Sequence, residues 1–86
     1  MTSTKRDKVV GNAARAIINE CVDAMDRYPR FNSAHEGYAV LLEELDELKA
    51  EVWKSPKNRD PQAMQEEAIQ VGAMALRFLV DVCQWE

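Results

Sequence analysis

Between Ala68 and Val80 the chain reads AIQVGAMALRFLV, apolar at almost every angle around a helical turn. A helix of that kind has to be covered on several sides, so the rest of the chain must wrap it. With 86 residues there is room for a single domain, residues 1–86, and for two further helices. A chain this small buries a modest share of its surface, so a partner copy is the expected source of the remaining cover. A narrow polar line survives on the apolar helix, where Glu67, Gln70, Arg77 and Asp81 fall within about 80° of one another. Unpaired charge on a buried helix is costly, so these residues need partners.

Nowhere do four or more residues alternate polar and apolar with β-branched enrichment, and everything long is helical in period. The first helix is expected over about residues 4–27, starting where Thr4 and Asp7 stand in capping-box spacing and ending at the YPRF stretch, because Pro29 disfavours helix at the residue before it. The second spans about residues 33–54, opened by Ser33 and Glu36, an S-x-x-E capping box in which each side chain can satisfy the other's free amide. Its predicted core stripe is Leu41, Leu45, Leu48 and Val52, with Tyr38 beside them. The polar, proline-bounded SPKNRDP, residues 55–61, is a loop. The third helix covers about residues 60–83, with Asp60 as N-cap and Pro61 in the first helical position. The fold class is therefore all-α, a bundle of three helices completed by oligomerisation.

Composition narrows the function classes. A net charge of −4 gives no electrostatic reason to bind nucleic acid or an anionic membrane, and it suits a protein that collects cations. The longest apolar stretch is interrupted by Arg77 and Asp81 and is too short to span a bilayer. The basic N-terminus lacks the apolar run of a secretory signal, so the expected location is the cytoplasm. Cys21 and Cys83 both fall among apolar residues and read as core thiols in a reducing compartment. His35, the single histidine, stands in the capping turn, where a surface or packing role is expected.

The second helix also carries Glu43, Glu44, Glu47 and Glu51 within an arc of about 100°. On a solvated helix, Glu at i and Lys at i+4 would be the stabilising spacing. Here negative charge repeats at i, i+4 and i+8, which costs a few tenths of a kcal/mol per pair. The crowding is either a solvated face or half of a metal site. In the second case Glu44 and Glu47, joined by Glu67 from the third helix, supply the converging oxygens that suit a Mg2+–phosphate site. No histidine or cysteine spacing suggests zinc, and no P-loop, dinucleotide fingerprint or nucleophile elbow is present. A hydrolase of this composition would use metal-activated water, with Lys54, Lys57 and Arg59 available in the loop for phosphates.

Glu43-Glu44-Leu45-Asp46-Glu47 resembles the E-E-x-x-E motif of the MazG-like, all-α nucleoside triphosphate pyrophosphohydrolases. The family's second motif, E-x-x-D, aligns with Glu67-Ala68-Ile69-Gln70 at a suitable interval. HEGYAVLLEELDELKAEVW followed by EEAIQVGAMALRFLVD is similar to the small single-domain members, including those of phages and mobile elements, over about residues 30–82. The resemblance implies a homodimer or homotetramer that hydrolyses a nucleoside triphosphate to the monophosphate and pyrophosphate with Mg2+, Mn2+ being an alternative. It implies Glu43, Glu44 and Glu47 as the catalytic acids and Glu44, Glu47, Glu67 and Gln70 as the metal-binding set. Gln70 departs from the family's aspartate: an amide oxygen can ligate Mg2+ but brings no charge and cannot act as a base. That departure leaves open a non-catalytic nucleotide-binding protein of the same fold. A helical interaction module with a merely solvated acidic face is the remaining alternative.

Overall fold

The computed structural model describes residues 3–84. It contains three helices, α1 (Ser3–Arg27), α2 (Ala34–Val52) and α3 (Pro61–Asp81), each bound within two residues of its sequence expectation. No strand forms among the described residues, and no described helix is long and apolar enough to cross a membrane.

The boundaries have local causes. Ser33 and Asp60 stand just outside their helices as N-caps: Ser33 Oγ accepts from the Glu36 amide at 3.1 Å, and Asp60 Oδ1 from the Gln62 amide at 3.0 Å. The return half of the capping box lands one residue early, because the Glu36 carboxylate takes the Asn32 amide at 3.0 Å rather than that of Ser33. Helix α2 stops at Val52, short of residue 54, where Arg59 Nε donates to the Val52 carbonyl at 2.8 Å and draws the loop under the helix end. Beyond α3, Gln84 adopts a positive φ of 53°.

Helices α1 and α2 both pack on α3 and not on each other. The buried core joins Cys21 and Ala24 of α1, Phe31 of the α1–α2 link, and Ala73 and Met74 of α3. Two glycines allow the close approaches. A Cβ on Gly72 would lie 2.8 Å from Ile17 Cδ1, and one on Gly37 would lie 2.7 Å from a Phe78 ring carbon and 3.1 Å from one of Phe31. Ile17 can swing its terminal methyl aside, but two aromatic rings cannot yield together. Gly37→Ala is therefore expected to lower the melting temperature by several degrees in a thermal scan. Overpacking costs about 1–3 kcal/mol, which outweighs the roughly 1 kcal/mol that alanine gains in helix propensity.

The side of α2 that faces α3 differs from the predicted stripe. Tyr38 is 61% and Leu45 48% exposed, so neither belongs to it. The covered positions are Gly37, Val40, Leu41, Glu44, Leu48, Glu51 and Val52, a seam in four- and three-residue steps. Two of its positions are acidic, and a stripe drawn through the leucines is rotated away from it. Cys83 is a second correction: it is exposed beyond the end of α3, while Cys21 is a buried free thiol as expected.

The polar line on α3 finds its partners in two places. At the C-terminal end, Asp81 Oδ2 accepts from the Phe31 amide at 3.2 Å and lies 3.4 Å from Arg77 Nε. Arg77 Nη2 donates to the Pro29 carbonyl at 2.6 Å, and Arg30 Nη2 to the Asp81 carbonyl at 2.8 Å. These contacts fasten the α1–α2 link to α3. Earlier on α3, about three turns before Arg77, Glu67 meets carboxylates of α2, while Gln70, about two turns before Arg77, lines a cavity that Glu44 of α2 also lines.

Candidate metal centre

Because Glu44 is a seam position and Glu47 lies one turn further along α2, both carboxylates reach across to Glu67 of α3. One carboxylate oxygen from each of the three lies within 4.8 Å of the others. Glu44 and Glu67 are partly buried and Glu47 is exposed, so the cluster sits at the mouth of the α2–α3 seam. Glu67 Oε2 is buried without a hydrogen-bond partner among the described residues. A carboxylate with a buried, unpartnered oxygen, set beside two further carboxylates, is the arrangement a cation completes.

The electrostatics carry the same message. Burial, reinforced by the charge of Glu47 and then of Glu67 and Glu43, pushes the Glu44 carboxyl up to about 7. Burial also raises Glu67, helped by its neighbour Glu47 and by the charges of Glu51 and Glu66. Glu44 and Glu67 therefore keep their protons to higher pH than free glutamates do. An all-oxygen, acidic donor set suits a hard divalent cation, and nothing in it favours a soft one.

The pH dependence follows with a definite sign. Glu44 has a folded pKa of about 7 against the ordinary 4.5, so its stabilising contribution is complete below about 4.5 and is lost as pH rises through about 7. Glu67 acts in the same direction. In EDTA, the melting temperature is expected to fall between pH 5 and pH 8. Saturating Mg2+ should recover it, by more at pH 8 than at pH 6, because the cation must displace protons to bind. Scanning fluorimetry at both pH values, with and without Mg2+, checks this.

The other predicted site residues separate by location. Glu43 is exposed beside the triad and outside it, close enough for its charge to act on Glu44. Gln70 is partly buried, one turn beyond Glu67, and lines a cavity together with Glu44. Lys54 Nζ is bound to Glu51 at 2.9 Å, which places it one carboxylate away from the triad. Arg59 is engaged with the end of α2, Lys57 is exposed in the loop, and neither lines that cavity. Sequence reasoning missed the cavity and its α1 wall, Glu20, Ala24 and Arg27. A weak signal existed in the small, mixed-polarity face of α1, which lets α3 approach but leaves a cleft beside it.

No protein-family model, curated protein or solved structure matches this chain. The triad's geometry and chemistry are thus the basis for any functional reading.

Proposed function

We propose that this chain is a Mg2+-dependent nucleoside triphosphate pyrophosphohydrolase of the MazG-like kind, working on free nucleotides as a homo-oligomer. The observation that carries the reading is the convergence of Glu44, Glu47 and Glu67 from two helices within 4.8 Å. Glu44 and Glu47 are two of the three acids of the E-E-x-x-E stretch, and Glu67 is the first residue of the stretch that resembles the second motif. The bond broken is the P–O–P link between the first and second phosphates, water supplying the oxygen and two hydrogens that complete the monophosphate and pyrophosphate. In this reading Glu44, Glu47 and Glu67 hold the cation and Gln70 adds a neutral oxygen beside it. Glu43, outside the triad, orients the attacking water and accepts its proton. Bound Mg2+ would supply charge neutralisation for the polyphosphate and a more acidic water. Lys54, Lys57 and Arg59 would meet the outer phosphates.

A self-partner is supported by apolar surface on all three helices, including Val10 and Val22 of α1, Leu42 and Leu45 of α2, and Leu79 of α3. Sedimentation should show a dimer or tetramer at micromolar protein.

Incubation with a panel of ribo- and deoxynucleoside triphosphates and Mg2+ tests the activity by pyrophosphate release. Turnover of none of them sinks the enzymatic reading. Gln70 specifically favours a second one, a nucleotide-binding protein without chemistry, since a charge is missing where the family carries an acid. Gln70→Asp discriminates between the two. Turnover that rises in the variant, with tighter Mg2+ binding by calorimetry, marks a weakened enzyme. Nucleotide binding without hydrolysis in both proteins supports the second reading.

A further inference from the structure

A cavity of about 480 Å3 lies in the cleft where α1 and α2 diverge over α3. The triad touches it through Glu44, with Gln70 beside it, and Arg77 and Arg27 line it with Tyr28 and Phe31. Gln70 and Arg77 are seven residues apart on α3, about 10 Å along the helix. Arg77 is 5% exposed. Its guanidinium carbon lies 4.1 Å from the centre of the Phe31 ring, and Nη2 is used on Pro29. Its buried Nε donates to nothing: Asp81 is 3.4 Å away but not in hydrogen-bonding geometry. A buried donor left unmade is unfavourable unless a ligand or water supplies the acceptor.

We infer that this cavity seats the heterocyclic base of a nucleotide, and that Arg77 selects a base presenting a carbonyl edge over one presenting an amino group. The inference rests on the nucleotide reading above and names the substrate class within it. The cavity volume is in the range of small-molecule sites, and Tyr28, Phe31, Val40 and Met74 supply aromatic and apolar walls for a planar ring. The triad end takes the phosphates, two helical turns from the guanidinium, with the sugar between. A guanidinium has only donors. Guanine meets it with O6 and N7, the pair arginine reads best, and uracil meets it with O4. Adenine and cytosine carry an amino group there, setting donor against donor. A site with a buried hydrogen-bonding group rejects such a ligand far more strongly than an apolar pocket rejects one by size.

The test separates the base pocket from the hydrolysis. The full chain, labelled with 15N and held in EDTA, is titrated with GMP, UMP, AMP and CMP while amide resonances are followed. GMP and UMP are expected to shift Ala24, Met74 and Arg77 at concentrations about tenfold or more below those needed with AMP and CMP. Val40→Trp, filling the cavity from α2, should remove those shifts with helicity retained, and Arg77→Lys, if it melts like the parent, should bring the ratio towards one. Absence of binding by any of the four, no preference, an amino preference, or parental binding by Val40→Trp overturns the inference. Kinetics with the four triphosphates and Mg2+ then reads the other claim. Keto-selective binding without turnover of any triphosphate overturns the hydrolase and leaves the pocket standing, whereas turnover without cavity shifts does the reverse.

Discussion

Glu67→Gln is expected to melt higher than the parent chain in EDTA at pH 8, and to lose both the Mg2+-induced rise and nearly all of its pyrophosphate release. Above pH 7 the parent carries repelling carboxylates, one oxygen of each within 4.8 Å of the others, and Glu67 also buries its Oε2 without a partner. Two unit charges about 5 Å apart repel by roughly 1–3 kcal/mol between bulk-water and protein-surface screening. Removing one charge, and giving the orphaned position an amide that can donate to Glu47, should raise the metal-free melting temperature by about 5–10 °C in a domain of this size. The cost falls on function. A cation at a hundred times its Kd stabilises the parent by about 2.7 kcal/mol, and the variant forfeits that response. Several kcal/mol of charge stabilisation in the transition state goes with it, so turnover drops by about a hundredfold or more. Glu44→Gln and Glu47→Gln should behave alike, while Asp46→Asn, exposed on the same helix, should stay within about 0.5 kcal/mol of the parent with activity intact. Carboxylates held only for structure give the opposite sign, a lower melting temperature on removal. Thermal scans and a pyrophosphate assay on the same preparations decide between them.

The triad was legible in the sequence because its parts are local patterns: a pair at i, i+3 on α2, a third acid about one loop and one turn later, and capped helix starts that fix the register. The helices were legible for the same reason. What escaped was the rotation of α2. Hydrophobicity drew the stripe through Leu45, yet Glu44 and Glu51 occupy the covered seam and Leu45 is 48% exposed. A seam that carries carboxylates looks like a surface to any scale that scores burial by apolarity. The cavity was hidden for a different reason. It exists because α1 and α2 diverge, and no residue pattern within one helix reports the angle between two others. Arg77 and Asp81 could be flagged as needing partners, but those partners, Pro29, Arg30 and Phe31, lie about fifty residues away in the chain.

Asp81→Ala is expected to be the most destabilising single substitution away from the triad. The Asp81 side chain is 5% exposed, accepts from the Phe31 amide and forms an ion pair with the Arg77 guanidinium at 3.4 Å. Its removal leaves a buried cation without its counter-charge and a buried backbone donor without an acceptor. Breaking one side of a buried pair costs about 3–5 kcal/mol. Small domains hold about 5–15 kcal/mol in all, so the loss takes a large fraction of the total and lowers the melting temperature by roughly 15–25 °C. Asp81→Asn should lose less, because an amide oxygen still accepts from Phe31 while only the charge is gone. The double variant Arg77→Met/Asp81→Ala separates the pair's own worth from the penalty of orphaning one member. If the loss is mostly the orphaned guanidinium, the double variant recovers much of the stability, as buried ion pairs replaced by apolar side chains often do. It would at the same time remove a guanidinium that lines the cavity. A chain that regains its stability by this route while binding all bases alike would show why a small domain keeps a buried arginine there: the pair is retained for what Arg77 presents to the cleft, with Asp81 holding it in place. Recovery with unchanged base preference would instead make the pair a fastening for the α1–α2 link alone.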